Sequence, residues 1–178
     1  MRLIAGDKTD LDEAEAMTWK MGDIQILSNS WGPYDTGDVL EAPQPLASAA
    51  LKYATDFGRN GKGSIITFAG GNGRAKNDNS NYDGYANSIY TIAVGAMDSN
   101  GLQADYSESG ANLVISAPSD GGQLGIMTTD NKGRYGYNPG FGQNDFASSG
   151  DVTKNFGGTS SATPAVSGVI ALILEKNP

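Results

Sequence analysis

The chain has no histidine and no cysteine in its 178 residues. Without cysteine there is no disulfide framework and no thiolate site, and the redox compartment stays open. Without histidine, a serine acting as a nucleophile finds no imidazole base within the chain. Basic residues are also scarce: 12 Lys and Arg stand against 20 Asp and Glu, a formal net charge of −8. That balance argues against nucleic acid as a partner, because phosphate binding draws on Lys and Arg. It suits a cationic ligand or a metal ion, although acids kept for solubility give the same sum. Long apolar runs are missing too. The longest, around Val169 to Leu174, falls well short of the ~20 residues of a membrane-spanning helix. The opening stretch MRLIAGDKTDLDEAEA turns acidic too early for a secretory leader and has no apolar centre.

What is plentiful is glycine, at 25 residues, so tight turns and close backbone approaches are expected. The length is that of one domain with a sizeable core. KTDLDEAEAMTWKMG predicts a helix capped by Thr9 or Asp10, acidic in its first turn and followed by Gly22. APQPLASAALKYATDFGRNGKG predicts a second helix with a proline-rich entry, stopped by Gly58 and the glycines beyond. DIQILSNSW, SIITFAGGNG, SIYTIAVGAMD and NLVISAPS predict strands. The last ~16 residues predict an almost wholly apolar helix, buried on all sides. The polar stretch 130–157 predicts a long loop or hairpin excursion. Strands alternate with helices and are continuously apolar, which predicts an α/β fold with a mostly parallel sheet covered on both faces. In such sheets, sites form at the carboxyl ends of strands, and the polar clusters SNSWGPYD, AGGNGRAKNDNSNYDG and DYSES follow the strand segments.

The stretch NFGGTSSATPAVSGVIAL carries the most chemistry. Gly157 and Gly158 permit a sharp approach to Ser160, and Pro164 is expected in the first turn of the helix, where a missing N–H is harmless. A serine at such a helix start projects its oxygen near free backbone N–H groups and the positive end of the dipole. Local grammar alone describes a plain N-cap serine equally well.

GTSSATPAVSG resembles the nucleophile segment of the subtilases, the subtilisin-like serine proteases. ILSNSWGP and NYDGYANSIYTIAVGA narrow the resemblance to the kexin/furin-like proprotein convertase branch, in the same order along nearly the whole chain. The resemblance implies a subtilisin-like three-layer fold and a serine endopeptidase that cleaves after basic residues. It assigns Ser160 as the acylated nucleophile and Asn72 of AGGNGR as the side-chain donor of the oxyanion hole. Ser30, Trp31 and Gly32 match the segment that pairs with an extended substrate. Asp35 and Asp83 match the acids that line a pocket for a basic side chain, and Glu41 an acid for a basic residue further upstream. Asp35, Asp78 and Glu108 match a calcium site beside that pocket. NSNYDG also half-matches an EF-hand loop, but Tyr90 stands where that loop needs a bidentate Glu, so that reading is rejected.

A subtilase also needs an Asp and a His, both of which lie in the family before the segments found here. The expectation is therefore a partial peptidase domain, residues 1–178, truncated at its N-terminal side and without a following P domain. Its partners would be a peptide or protein substrate with basic residues and the rest of its own domain. The family implies a secreted, periplasmic or secretory-pathway location. Two rivals stand beside this reading: a non-catalytic acidic peptide-binding module, and a subtilase of broader specificity, since Tyr34, Glu41 and Gly70 differ from the commonest furin-branch residues.

Overall fold

The computed structural model describes residues 6–140 and 150–178. Four parallel strands form the main sheet in the order of the chain: β1 (Ile26–Asn29), β2 (Ile65–Ala69), β3 (Ile92–Met97) and β4 (Leu113–Pro118). Because all four run parallel, their carboxyl ends share one rim, and the three polar clusters connect from that rim as expected.

Two helices cover one face. α1 (Asp10–Thr18) starts in a capping box, in which Thr9 Oγ1 accepts the Asp12 N–H while the Asp12 carboxylate takes the Thr9 N–H. Asp10 also reaches α2 (Pro45–Gly61), where its carboxylate accepts the Leu46 and Ala47 N–H groups at 2.9 and 2.7 Å. One acid thus serves the second helix as the cap that Gln44 does not supply. Regular helix stops at Phe57: Gly58 has an extended ψ of 164°, and Arg59 and Asn60 are left-handed with φ of 51° and 56°. Under these helices Leu51, Ala54, Ile66, Phe68 and Ala93 are buried. Each large apolar side chain so buried contributes roughly 1.5–3 kcal/mol relative to exposure.

The third helix, α3 (Thr159–Lys176), lies on the opposite face and packs Ala162 and Val166 against Val94, Ala96 and Ala117. The layers are therefore helix, sheet, helix. Two expectations need correction here. α3 is not buried on all sides: Val169, Leu172 and Ile173 are 57, 65 and 57% exposed, because one face of the helix meets the sheet and the other meets nothing among the described residues. Pro164 is not in the first turn either, since the helix begins at Thr159 and Pro164 is its sixth residue. A hairpin follows β4, and it begins before the stretch 130–157 expected to be a loop or hairpin: β5 (Ile126–Thr129) lies ahead of that stretch and pairs antiparallel with β6 (Val152–Phe156) inside it. Residues 141–149 of that excursion lie outside the described residues.

Candidate active site

Ser160 is the second residue of α3 and sits half-buried at the rim of the sheet. Gly158 before it has a φ of 77°, a left-handed turn that an L side chain rarely adopts. Two ties hold the start of the helix. Thr159, fully buried, donates its N–H (2.8 Å) and its hydroxyl (3.0 Å) to Asn72 Oδ1, which follows β2. Ser30, which follows β1, donates its hydroxyl to the Ser160 carbonyl at 2.8 Å, and Ser160 Oγ lies 3.4 Å from the Ser30 carbonyl. The displaced proline explains the second tie. An ordinary residue at 164 would send its N–H to the carbonyl four residues back, that of Ser160, and proline leaves this acceptor open for Ser30.

Asn72 is oriented by the same bonds. A backbone N–H only donates, so the atom facing Thr159 must be Oδ1, and the amide's other end, Nδ2, is left as a donor. Asn72 and Ser160 line one cleft of about 310 Å³, together with Trp31, Gly32, Asp35 and Asp83. Trp31 reaches this cleft while its ring packs edge-on against Phe68 and Tyr85, with centroids 5.3 and 5.1 Å away.

Asp35, Glu41 and Asp83 come together beside it, around a second hollow of about 290 Å³. Asp83 takes the Tyr85 and Ala86 N–H groups at 2.7 and 3.3 Å, and burial still raises its pKa to about 6. A methyl on Gly32 would come 2.9 Å from Asp83 Oδ2, so only glycine leaves the carboxylate its room. Glu41 is exposed, and its backbone pairs with the 82–84 segment through Glu41 N–H to Tyr82 O (3.1 Å) and Gly84 N–H to Glu41 O (2.7 Å).

Asp35, Asp78 and Glu108 converge at the same end: each offers a carboxylate oxygen, all within 4.8 Å of one another. Asp35 also accepts the Asn72 N–H at 3.0 Å, which ties this cluster to the loop that carries Asn72. Glu108 is only 3% exposed, and the Gly73 N–H that its carboxylate accepts, at 2.8 Å, does not offset its burial. Burial first, and then the neighbouring Asp35 and Asp78 charges, raise its pKa to about 7. Among the described residues no Lys or Arg pairs with these three carboxylates; Lys76 Nζ goes to the Asp35 carbonyl instead, at 2.7 Å. Three converging hard-oxygen acids, one of them buried, form a donor set that fits a hard divalent cation.

Some of this was not read from the sequence. Glu13, 6% exposed on α1, accepts the Tyr85 hydroxyl and pairs with Lys8, whose ammonium lies 4.1 Å from the Trp31 ring centre. No spacing or motif marks that cluster. The Thr159–Asn72 and Ser30–Ser160 bonds were not read either, and only a proline inside the helix hints at the second.

The sequence profile of the subtilase family matches residues 3–178. The chain belongs to the subtilase family. Among curated subtilase relatives, kexin of Candida albicans is 39% identical over 178 residues, covering 100% of this chain and 17% of that protein. A dibasic-processing endoprotease of Schizosaccharomyces pombe is 39% identical over 178 residues, covering 100% of this chain and 23% of that protein. The chain thus spans about a fifth of the length of such relatives. The fold agrees with the family. The crystal structure of a serine protease of Aeromonas sobria superposes with a TM-score of 0.81 at 22% identity, over 98% of this chain and 35% of that one. Among the described residues, no helix of this subtilase chain is long and apolar enough to cross a membrane.

Proposed function

We propose that the protein containing this chain is a calcium-dependent serine endopeptidase of the secretory pathway or cell exterior, cleaving peptide bonds after Arg or Lys. An extended peptide lies along Ser30, Trp31 and Gly32 and adds a strand to the rim. Its basic side chain enters between Asp35 and Asp83, held by charge-assisted hydrogen bonds, with Glu41 at the outer edge. The Ser160 hydroxyl attacks the carbonyl carbon, and the negative charge that develops on the carbonyl oxygen is taken up by Asn72 Nδ2 and backbone N–H groups. Because the chain has no histidine, the base that removes the Ser160 proton, and the Asp that orients it, come from the parent protein outside these 178 residues. Asp35, Asp78 and Glu108 would hold calcium, whose charge offsets the crowded acids and ties three loops together.

The observation that carries this reading is the Thr159–Asn72 bond, which brings an amide donor and Ser160 into one cleft that also holds two acids. That the Schizosaccharomyces pombe relative is a dibasic-processing endoprotease supports the basic preference. The test uses the full-length parent and peptide libraries varied at the residue before the scissile bond. Arg and Lys are expected to lead, and Asp83→Asn is expected to cut the preference steeply. Losing one arm of a desolvated charge pair costs about 2–5 kcal/mol, or roughly 30- to several-thousand-fold. Apolar residues cleaved as fast as Arg would leave a broad-specificity subtilase. A parent that binds basic peptides without cleaving them would instead be a peptide-binding module.

A further inference from the structure

The turn that delivers Ser160 is held on its far side by groups that the mechanism above leaves unused. β4 ends at Pro118, and the next two residues, Ser119 and Asp120, meet the glycines before Ser160. Asp120 Oδ1 accepts the Gly158 N–H at 2.9 Å. Ser119 Oγ lies 2.8 Å from the Gly158 carbonyl, takes the Tyr106 hydroxyl at 2.7 Å and touches Ser161 Oγ at 2.6 Å. Ser119 and Ser161 are each 4% exposed, so this side of the turn is dry. The Asp120 carboxylate also presses on Gly157, where a Cβ would stand only 1.9 Å from Asp120 Cγ. Gly157 is therefore glycine because Asp120 is there, a reason distinct from the left-handed φ of Gly158. Three ties thus fix the approach to the nucleophile: Asn72 on Thr159, Ser30 on Ser160, and Asp120 on Gly158. Only the last uses an ionisable side chain as its acceptor, and bonds to ionised acceptors are roughly twice as strong as neutral ones.

We propose that Asp120 is a positioning residue for Ser160: its carboxylate fixes the Gly158 peptide plane and, through it, the start of the helix that carries the Ser160 hydroxyl. The assignment rests on the protease reading, and it adds a tie between the end of β4 and the nucleophile. A displaced hydroxyl should slow the chemical step while leaving the substrate groove, built from other loops, intact. Misplacement by about 1 Å is enough for roughly 100-fold.

The experiment uses the full-length parent. Asp120→Ala is expected to lower kcat on a basic-residue peptide roughly 10- to 100-fold with KM little changed. Asp120→Asn keeps an acceptor oxygen for the Gly158 N–H and should recover most of that rate. Gly157→Ala should mimic Asp120→Ala, since the new methyl takes the carboxylate's space, and the double variant should be no slower than Gly157→Ala alone. Hydrogen–deuterium exchange of a peptide spanning 157–161 should rise in both alanine variants and stay low in Asp120→Asn. Unchanged kcat with unchanged exchange in Asp120→Ala would overturn the assignment, and so would a strictly additive double variant. If Asp120→Ala did not fold, Gly157→Ala and Asp120→Asn would still decide between these outcomes. A wild-type parent that cleaves no peptide would defeat the protease reading instead, and the exchange data would then judge Asp120 by themselves.

Discussion

At the scale of single residues, Asn72 is the instructive case, because its acceptor end is already taken. Thr159 holds Oδ1 through both its N–H and its hydroxyl, and what remains is a donor facing the same cleft as Ser160. Two substitutions separate donor from brace. Asn72→Ala removes both functions and is expected to lower kcat of the parent by ~10²–10³. Asn72→Asp keeps an oxygen for Thr159 but replaces the donor with a second acceptor, so it should be at least as slow while the fold stays as stable. Steady-state kinetics beside urea unfolding would show this, and an active Asn72→Asp enzyme would contradict the donor role. Ser160 and Asn72 stood out in the sequence because each sits in a distinctive glycine-flanked segment, and the structure brings both into one cleft. The bond between their neighbourhoods joins residues 87 apart in the chain, and no local pattern reports it. Glu13 was illegible for a different reason: among several acids on α1, only the three-dimensional approach of Tyr85 and Lys8 singles it out.

At the scale of elements, α3 shows how a helix breaker can build a site. Pro164 gives up one backbone bond, and the freed Ser160 carbonyl takes the Ser30 hydroxyl instead, which fastens the helix start to the end of β1. Ser30→Ala should therefore leave that carbonyl unpaired and cost about 1 kcal/mol. Adding Pro164→Ala to Ser30→Ala restores an N–H in reach of the same oxygen and should recover part of the loss. Denaturant unfolding of the single and double variants measures the coupling, and simple additivity would count against it. The elements themselves were largely readable. Capping chemistry at Thr9, the β-branched runs of β2 and β3, and the glycines after Phe57 are local signals with local causes. The surroundings of α3 were not, because an apolar helix surface states only that something should cover it. In this structure the sheet covers Ala162 and Val166 and leaves Val169, Leu172 and Ile173 exposed.

At the scale of the whole molecule, an acidic chain of net charge −8 brings Asp35, Asp78 and the buried Glu108 together at one end of the sheet. Glu108 is raised from 4.5 to about 7 and Asp83 from 3.8 to about 6, in both cases mainly by burial. An acid whose folded pKa lies above its unfolded value stabilises the fold at pH below the unfolded value, and that contribution is lost as the pH rises through the folded one. Without a cation, stability should therefore fall between about pH 4 and pH 7, by on the order of 3 kcal/mol from Glu108 alone. Calcium acts in the opposite sense. On the reading proposed above it would bind the folded cluster with Glu108 ionised and would add about 2.7 kcal/mol at a concentration 100 times its Kd. The two effects together predict how the thermal midpoint of the parent behaves in chelator and in calcium. The gap between the two Tm curves should be small near pH 4, where Glu108 is protonated, and should widen toward pH 7. Glu108→Gln should flatten the chelator curve and shrink the gap, because the same side chain carries the buried charge and would supply a ligand oxygen. A calcium effect of equal size at pH 4 and pH 7 would mean that the ion binds elsewhere, and the acids at Asp35, Asp78 and Glu108 would then be left to the substrate's basic side chain.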